Sequence, residues 1–168
     1  MIPIGKIMLF YKKELVVIND YLIKKYIINS IINWNAWEIT RSDLIGHINF
    51  NYNVKKTNCG MYATFLSNHW ENLVEIEPNL TLFNPNLKKS WIAKTIPGGG
   101  IFPHIDYNRK ISTIIPLGNN KGEIKFHLHY TLPAFYTHTY TGPTTIRTNI
   151  THSLLNNSNT DRYALQFY

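Results

Sequence analysis

Four residues of this chain could act together. The run Pro103-His104-Ile105-Asp106 sets an imidazole and a carboxylate two positions apart, His152 adds a second imidazole, and Arg162 follows near the C-terminus. Two histidines and one carboxylate on one ion form a facial triad with open coordination positions, a donor set that favours non-haem Fe(II). In extended backbone, alternate side chains share a face, so His104 and Asp106 project one way and Ile105 the other. An inward Arg162 would be costly to bury without an anion, and its planar fork suits a carboxylate. If the four converge, the chemistry is that of an oxygenase. Each also has an ordinary reading. His-x-Asp occurs often on polar strand faces, a lone histidine is more often structural, and Arg162 could pair with Asp161 on an edge strand.

The elements that must carry these residues read as short strands with turn punctuation. Ser90 to Ile96 is one, ended by Pro97-Gly98-Gly99-Gly100; Ile101 to Asp106 and Ile111 to Leu117 follow, then a turn at Gly118 to Gly122. Glu123 to Leu132, Thr144 to His152 and Arg162 to Tyr168 complete the set, with breaks at Gly142-Pro143 and Asn156 to Asn159. In the last strand Tyr163, Leu165 and Phe167 share one face and Arg162, Ala164 and Gln166 the other. Many short strands, with a site assembled from distant ones, predict a mainly β protein: a double-stranded β-helix, or cupin-like jelly roll. Ahead of them, Leu15 to Ile18 reads as a strand. Asn19 or Asp20 caps a helix to about Asn33, with Ile23, Ile27 and Ile31 on one face and Lys25, Asn29 and Asn33 on another; it serves as a buttress. From about Glu38 to Gly60 the sequence is polar, Asn-rich and weakly periodic, an irregular segment of the sort that often borders a site.

Composition narrows the class. The 168 residues are 44% apolar and 16% charged, a globular balance without repeat or linker, so one domain over 1–168 is expected, with an N-terminal zone to 89 and the site-bearing core from 90. The single Cys59 excludes an intramolecular disulfide and points to a reducing, cytoplasmic compartment. The apolar run Ile7 to Phe10 is too short to span a membrane, and no small-residue cleavage site follows it. The net charge of +7 comes from lysine pairs spread along the chain, which favours solubility and general attraction to anions over a dedicated nucleic-acid surface.

The stretch Ala93 to Leu117 (Ala-Lys-Thr-Ile-Pro-Gly-Gly-Gly-Ile-Phe-Pro-His-Ile-Asp-Tyr-Asn-Arg-Lys-Ile-Ser-Thr-Ile-Ile-Pro-Leu) resembles the core of the aspartyl/asparaginyl β-hydroxylase family of Fe(II)/2-oxoglutarate-dependent oxygenases. So does Gly142 to Phe167, with Asn149, His152, Asn156 and Asp161-Arg162; together these cover roughly the C-terminal half. The resemblance implies that His104, Asp106 and His152 hold Fe(II) and that Arg162 pairs with the distal carboxylate of 2-oxoglutarate. It further implies that O2 is consumed, succinate and CO2 are released, and an amino-acid side chain, free or in a peptide, is hydroxylated. Some members that act on protein domains carry glycine at the Asp106 position. The full triad here looks more like the proline hydroxylases of that family, and it separates hydroxylases from halogenases, in which loss of the carboxylate opens a halide position.

Two departures leave the second 2-oxoglutarate anchor unassigned: Ala93 stands where some members have serine, and isoleucine near Ile114 where they have histidine. Thr95 and Thr113 are the substitutes considered. Tyr107 and Arg109, just past the motif, are candidate substrate contacts. His47 and His69 have no ligand-like spacing and read as surface or structural residues. His127 and His129 sit two apart on a strand with Lys125, a metal-compatible spacing that reads first as a polar face; His138 is weighed with them. Two other functions compete. A nucleic-acid demethylase of the same superfamily fits the basic charge, but that group usually has a second arginine after the first, and none follows Arg162. The other is a non-catalytic jelly-roll module with a vestigial site.

Overall fold

The computed structural model describes residues 10–39, 57–106 and 109–168. His47, Tyr107, the start of the apolar run at Ile7 and most of the irregular Glu38 to Gly60 segment lie outside them.

Among the described residues, eleven strands form two antiparallel sheets. They are β1 (Tyr11–Lys13), β2 (Asn35–Ile39), β3 (Thr57–Phe65), β4 (Trp91–Thr95), β5 (Gly100–His104), β6 (Ile111–Leu117), β7 (Glu123–Phe126), β8 (Tyr136–Thr139), β9 (Thr144–Arg147), β10 (His152–Leu155) and β11 (Arg162–Phe167). The large sheet has the order β1-β9-β6-β11-β4-β3-β2 and the small one β5-β10-β7-β8. From β4 onward the chain crosses between the sheets at every step except the β7–β8 hairpin, the winding of a double-stranded β-helix. The fold is therefore the jelly roll expected.

Helix α1 (Asp20–Asn29) starts at Asn19, whose side chain accepts from the Leu22 amide. It buries Ile23 and Ile27 against Ile92, Ile115, Leu117, Leu165 and Phe167 of the large sheet. A second helix, α2 (Trp70–Ile76), adds Leu73 to that core. Each fully buried aliphatic side chain here contributes about 1.5–3 kcal/mol relative to exposure, so the outer face of the large sheet is a packed core. The inner face is left to line the cavity.

Several boundaries differ from expectation, each for a physical reason. Leu15 to Ile18 is not a strand. The β1–β9 ladder ends where β9 turns at Gly142-Pro143, the last bond being Glu14 N to Pro143 O at 2.9 Å, and Leu15 and Val17 stand 95% and 80% exposed. Helix α1 stops at Asn29 because Ser30 is extended, which leaves Ile31 outside the helix and fully exposed. Glu123 to Leu132 is not one strand: β7 ends at Phe126, a turn containing Pro133 follows, and β8 returns beside β7. Thr144 to His152 divides into β9 and β10, which belong to different sheets. The nominally irregular zone contributes the nine-residue β3, paired to β4 along its second half.

Candidate active site

Strands β5 and β10 pair with His104 directly opposite His152, and the ring centroids lie 4.4 Å apart. Asp106 falls just beyond β5, where its amide donates to Thr148 O at 2.9 Å. Thr148 also ties down the far side of this loop: its amide donates to Lys110 O at 2.9 Å and its hydroxyl to Arg109 O at 3.0 Å. Asp106 Oδ1 thereby sits 3.2 Å from His104 Nε2 and 3.6 Å from His152 Nε2.

The donors are prepared for a cation. Nδ1 of His104 contacts Phe102 O at 2.9 Å and Nδ1 of His152 contacts Ile150 O at 2.7 Å. A carbonyl can only accept, so each Nδ1 carries a proton, which leaves Nε2 as the nitrogen turned toward Asp106 and available to a metal. Burial, helped by His104, brings the His152 pKa down to about 4, which keeps the ring neutral at ordinary pH. Burial alone would raise the Asp106 pKa, but the hydrogen bond with His104 and the nearby His152, His104 and Arg109 hold it below its usual value. Bonds of about 2.1 Å to a divalent ion, meeting at right angles, put neighbouring donors roughly 3.0 Å apart. The observed separations are a few tenths longer, and all three donor atoms lie within 4.8 Å of one another. Two imidazoles and one carboxylate therefore fit a facial metal site. They are the one such cluster among the described residues.

These ligands border a cavity of about 120 Å³ between the sheets, lined also by Thr95, Ser112, Ile114, Tyr140, Asn156 and Arg162. Arg162 is not on an edge: β11 lies between β4 and β6. Its face of β11 turns to the cavity, and the Tyr163, Leu165, Phe167 face joins the core, as the alternation predicts. The guanidinium donates through Nε to Asn120 Oδ1 at 2.8 Å, and through its terminal nitrogens to Leu155 O at 2.8 Å and Asn157 Oδ1 at 3.2 Å. Three of its five donors are thus used for orientation. Gly122 is required beside it, because a Cβ there would lie 2.7 Å from a terminal nitrogen of Arg162.

Of the two threonines considered as a second anchor, Thr95 lines the cavity, whereas Thr113 bonds Thr145 at 2.8 Å and does not. Tyr140, which sequence reasoning missed, enters the cavity with its phenol kept protonated by burial. It follows β8, which forms in the stretch from Leu132 to Thr141 that reads as a loop in the sequence. Tyr168 was also missed: its hydroxyl donates to Asp106 Oδ2 across a long 3.4 Å, and Arg109 lies over its ring.

The remaining histidines have other duties. His127 sits past the end of β7, with Nδ1 at 2.9 Å from Leu132 O and Nε2 at 2.8 Å from Ser153 Oγ, so both nitrogens are engaged. His129 is in the following turn against Thr131. His69 contacts the Tyr26 hydroxyl at 2.9 Å. His138 is buried and stacks on Tyr11 with centroids 3.8 Å apart, and its Nε2 has no partner. No described helix is long and apolar enough to cross a membrane.

No family model and no curated protein matches the sequence. Among solved structures, the chain is similar to an oxidoreductase of the 2OG-Fe(II) oxygenase family from Burkholderia pseudomallei, with a TM-score of 0.51 and 12% sequence identity over 87% of this chain and 76% of that one. At that identity what the two share is the fold.

Proposed function

We propose that this protein is an Fe(II)- and 2-oxoglutarate-dependent oxygenase that hydroxylates an amino-acid side chain, free or within a peptide. The observation that carries the reading is the convergence of His104, Asp106 and His152 at a cavity that also contains the oriented Arg162. A bound Fe(II) with 2-oxoglutarate and O2 supplies the oxidising power, the balance being one hydroxylated product, one succinate and one CO2 for each O2 consumed. The chain's own residues supply position. Asp106 and the two Nε2 atoms would hold the ion as a facial set, which leaves open positions for ligands. Arg162 keeps two donors for a carboxylate, with Thr95 and the Tyr140 hydroxyl as neutral partners in the same cavity. A cavity of about 120 Å³ is close to the size of engineered cavities that take one small organic molecule. The apolar lining from Ile114, Ile124 and Ile146 limits water there.

The test is succinate formation from 2-oxoglutarate by protein loaded anaerobically with Fe(II), across free amino acids and short peptides. Turnover should require both iron and 2-oxoglutarate and vanish in Asp106→Ala. Arg162→Ala should raise the 2-oxoglutarate KM roughly ten- to hundredfold, the worth of a charged hydrogen bond. Full activity in either variant would refute the assignment.

A further inference from the structure

Strand β11 is about 17 Å long at 3.3 Å per residue, so its two ends mark two ends of the cavity. Arg162 starts it. At the other end Gln166 pairs with Trp91, which in turn pairs with Phe65, and Tyr168 follows. This is the end where the Tyr168 hydroxyl reaches Asp106. A groove of about 350 Å³ opens here on the same side of the large sheet, walled by Trp37, Phe65 and Trp91 with small Ala63 between them. Trp37 borders both the groove and the metal-site cavity, so the two adjoin at that ring. A groove of this size, aromatic on its walls and shallow where an alanine replaces a larger residue, suits a flat apolar group.

Arg109 packs on one wall residue of each, Trp91 of the groove and Tyr168 of the cavity. Its guanidinium carbon lies 4.5 Å from the Trp91 ring centroid and 3.2 Å from that of Tyr168. These rings hold the fork in place, and its hydrogen bonds are few: Lys89 O at 3.4 Å and the Tyr168 hydroxyl. No carboxylate forms an ion pair with it among the described residues. The nearest acid, Asp106, is committed to the metal. A preorganised guanidinium with open donors beside an aromatic groove recognises a carboxylate attached to an apolar body.

We propose that the substrate is a small carboxylic acid with a flat apolar body, its carboxylate held by Arg109 and its body by Trp37, Phe65 and Trp91. This rests on the oxygenase reading above and adds the substrate class. The occupant is committed by charge and by adjacency to the metal site: the groove supplies apolar walls, Arg109 supplies the cation, and Trp37 is a wall of both the groove and the metal-site cavity.

The test uses the full chain loaded with Mn(II) and 2-oxoglutarate, titrated with 3-phenylpropionate and, separately, with its neutral amide. Tryptophan fluorescence reads binding, because two of the groove's walls are tryptophans. The acid should bind at least about tenfold more tightly than the amide, the difference expected for a charged hydrogen-bonded pair. Arg109→Gln should abolish that preference. Equal binding of acid and amide by the wild-type protein, unchanged preference in Arg109→Gln, or no binding of the acid up to about 10 mM would each overturn the proposal. Wild-type protein that holds Mn(II) and 2-oxoglutarate but fails these comparisons loses only this inference. Wild-type protein that holds neither removes the oxygenase reading as well.

Discussion

Replacing Asn156 tests whether the loop that joins His152 to Arg162 is held by one side chain. Asn156 is fully buried. Its Nδ2 donates to Thr95 O at 2.9 Å and Thr160 O at 2.8 Å, while Oδ1 accepts from the Ser158 amide at 3.1 Å and hydroxyl at 2.6 Å. Asn156→Ala leaves the backbone bonds with Gly98 and Gly99 in place but removes all four of these. They are not equivalent. Thr160 O keeps donors from Ser158 and Asn120, and Ser158 Oγ keeps Asn120. Their losses should each cost only the net value of a hydrogen bond, about 0.5–1.5 kcal/mol. The bond to Thr95 O is buried, and its loss costs nearer the desolvation range of about 1–3 kcal/mol. With the Ser158 amide counted like the first two, the total comes to about 2.5–7.5 kcal/mol, a large part of the roughly 5–15 kcal/mol that holds a typical domain together. Asn156→Asp is the sharper variant, because it keeps the shape but turns the donor toward Thr95 O and Thr160 O into an acceptor; it should cost more than alanine. Urea unfolding of the metal-free protein measures both. A loss below about 1 kcal/mol for Asn156→Ala, or an Asn156→Asp protein as stable as wild type, would refute the reasoning.

Two other perturbations follow from the geometry. A Cβ on Gly100 would lie 2.2 Å from Leu154 O and 2.9 Å from Leu155 Cα, both backbone; Gly100→Ala should therefore push β5 from β10, lowering both the melting temperature and, by separating His104 from His152, the Mn(II) affinity. Unchanged Mn(II) binding would show that the pairing does not align the ligands. Burial first, and Lys13 second, hold the folded His138 below its ordinary 6.5, so the unfolded chain takes that proton first. Its contribution to stability is full above about pH 6.5 and is lost as pH falls below it. Thermal melts across pH 5–8 should show a shallower acid slope for His138→Phe than for wild type, and identical slopes would contradict the burial argument.

How much could be read from the sequence depended on whether the local pattern matched the element that formed. Alternation in β11 sorts Tyr163, Leu165 and Phe167 from Arg162, Ala164 and Gln166, and both faces go where that period sends them. The division of Thr144 to His152 carries no such mark, because neither glycine nor proline interrupts it and the crossing between sheets is made at Thr148 to Thr151. The same blindness hid β8. Pro133 lies within the turn that reverses the chain, and the stretch from Leu132 to Thr141 reads as a loop rather than as a strand returning beside β7. β3 was obscured by composition: Asn58 and Gly60 are poor advertisements for a strand, and it exists because β2 and β4 offer ladders on its two sides.

The two ends of the cavity differ for a related reason. A metal site demands particular donor types, and β5 and β10 pair at the residues that supply them, so His104 and His152 meet as a consequence of register. The mouth makes no such demand. Trp37, Phe65, Trp91 and Tyr168 are separately ordinary aromatics, and they become neighbours only because β2, β3, β4 and β11 end together. Arg109 is the exception, since a cation just past a His-x-Asp run already hints at a substrate contact, but its meaning comes from the rings that orient it. The reaction type is therefore written in a local pattern of donors, whereas the choice of substrate is written in tertiary adjacency. A search for substrate should start from the groove at Trp37 and Trp91, and variants there should change what the protein binds without changing what its metal site holds.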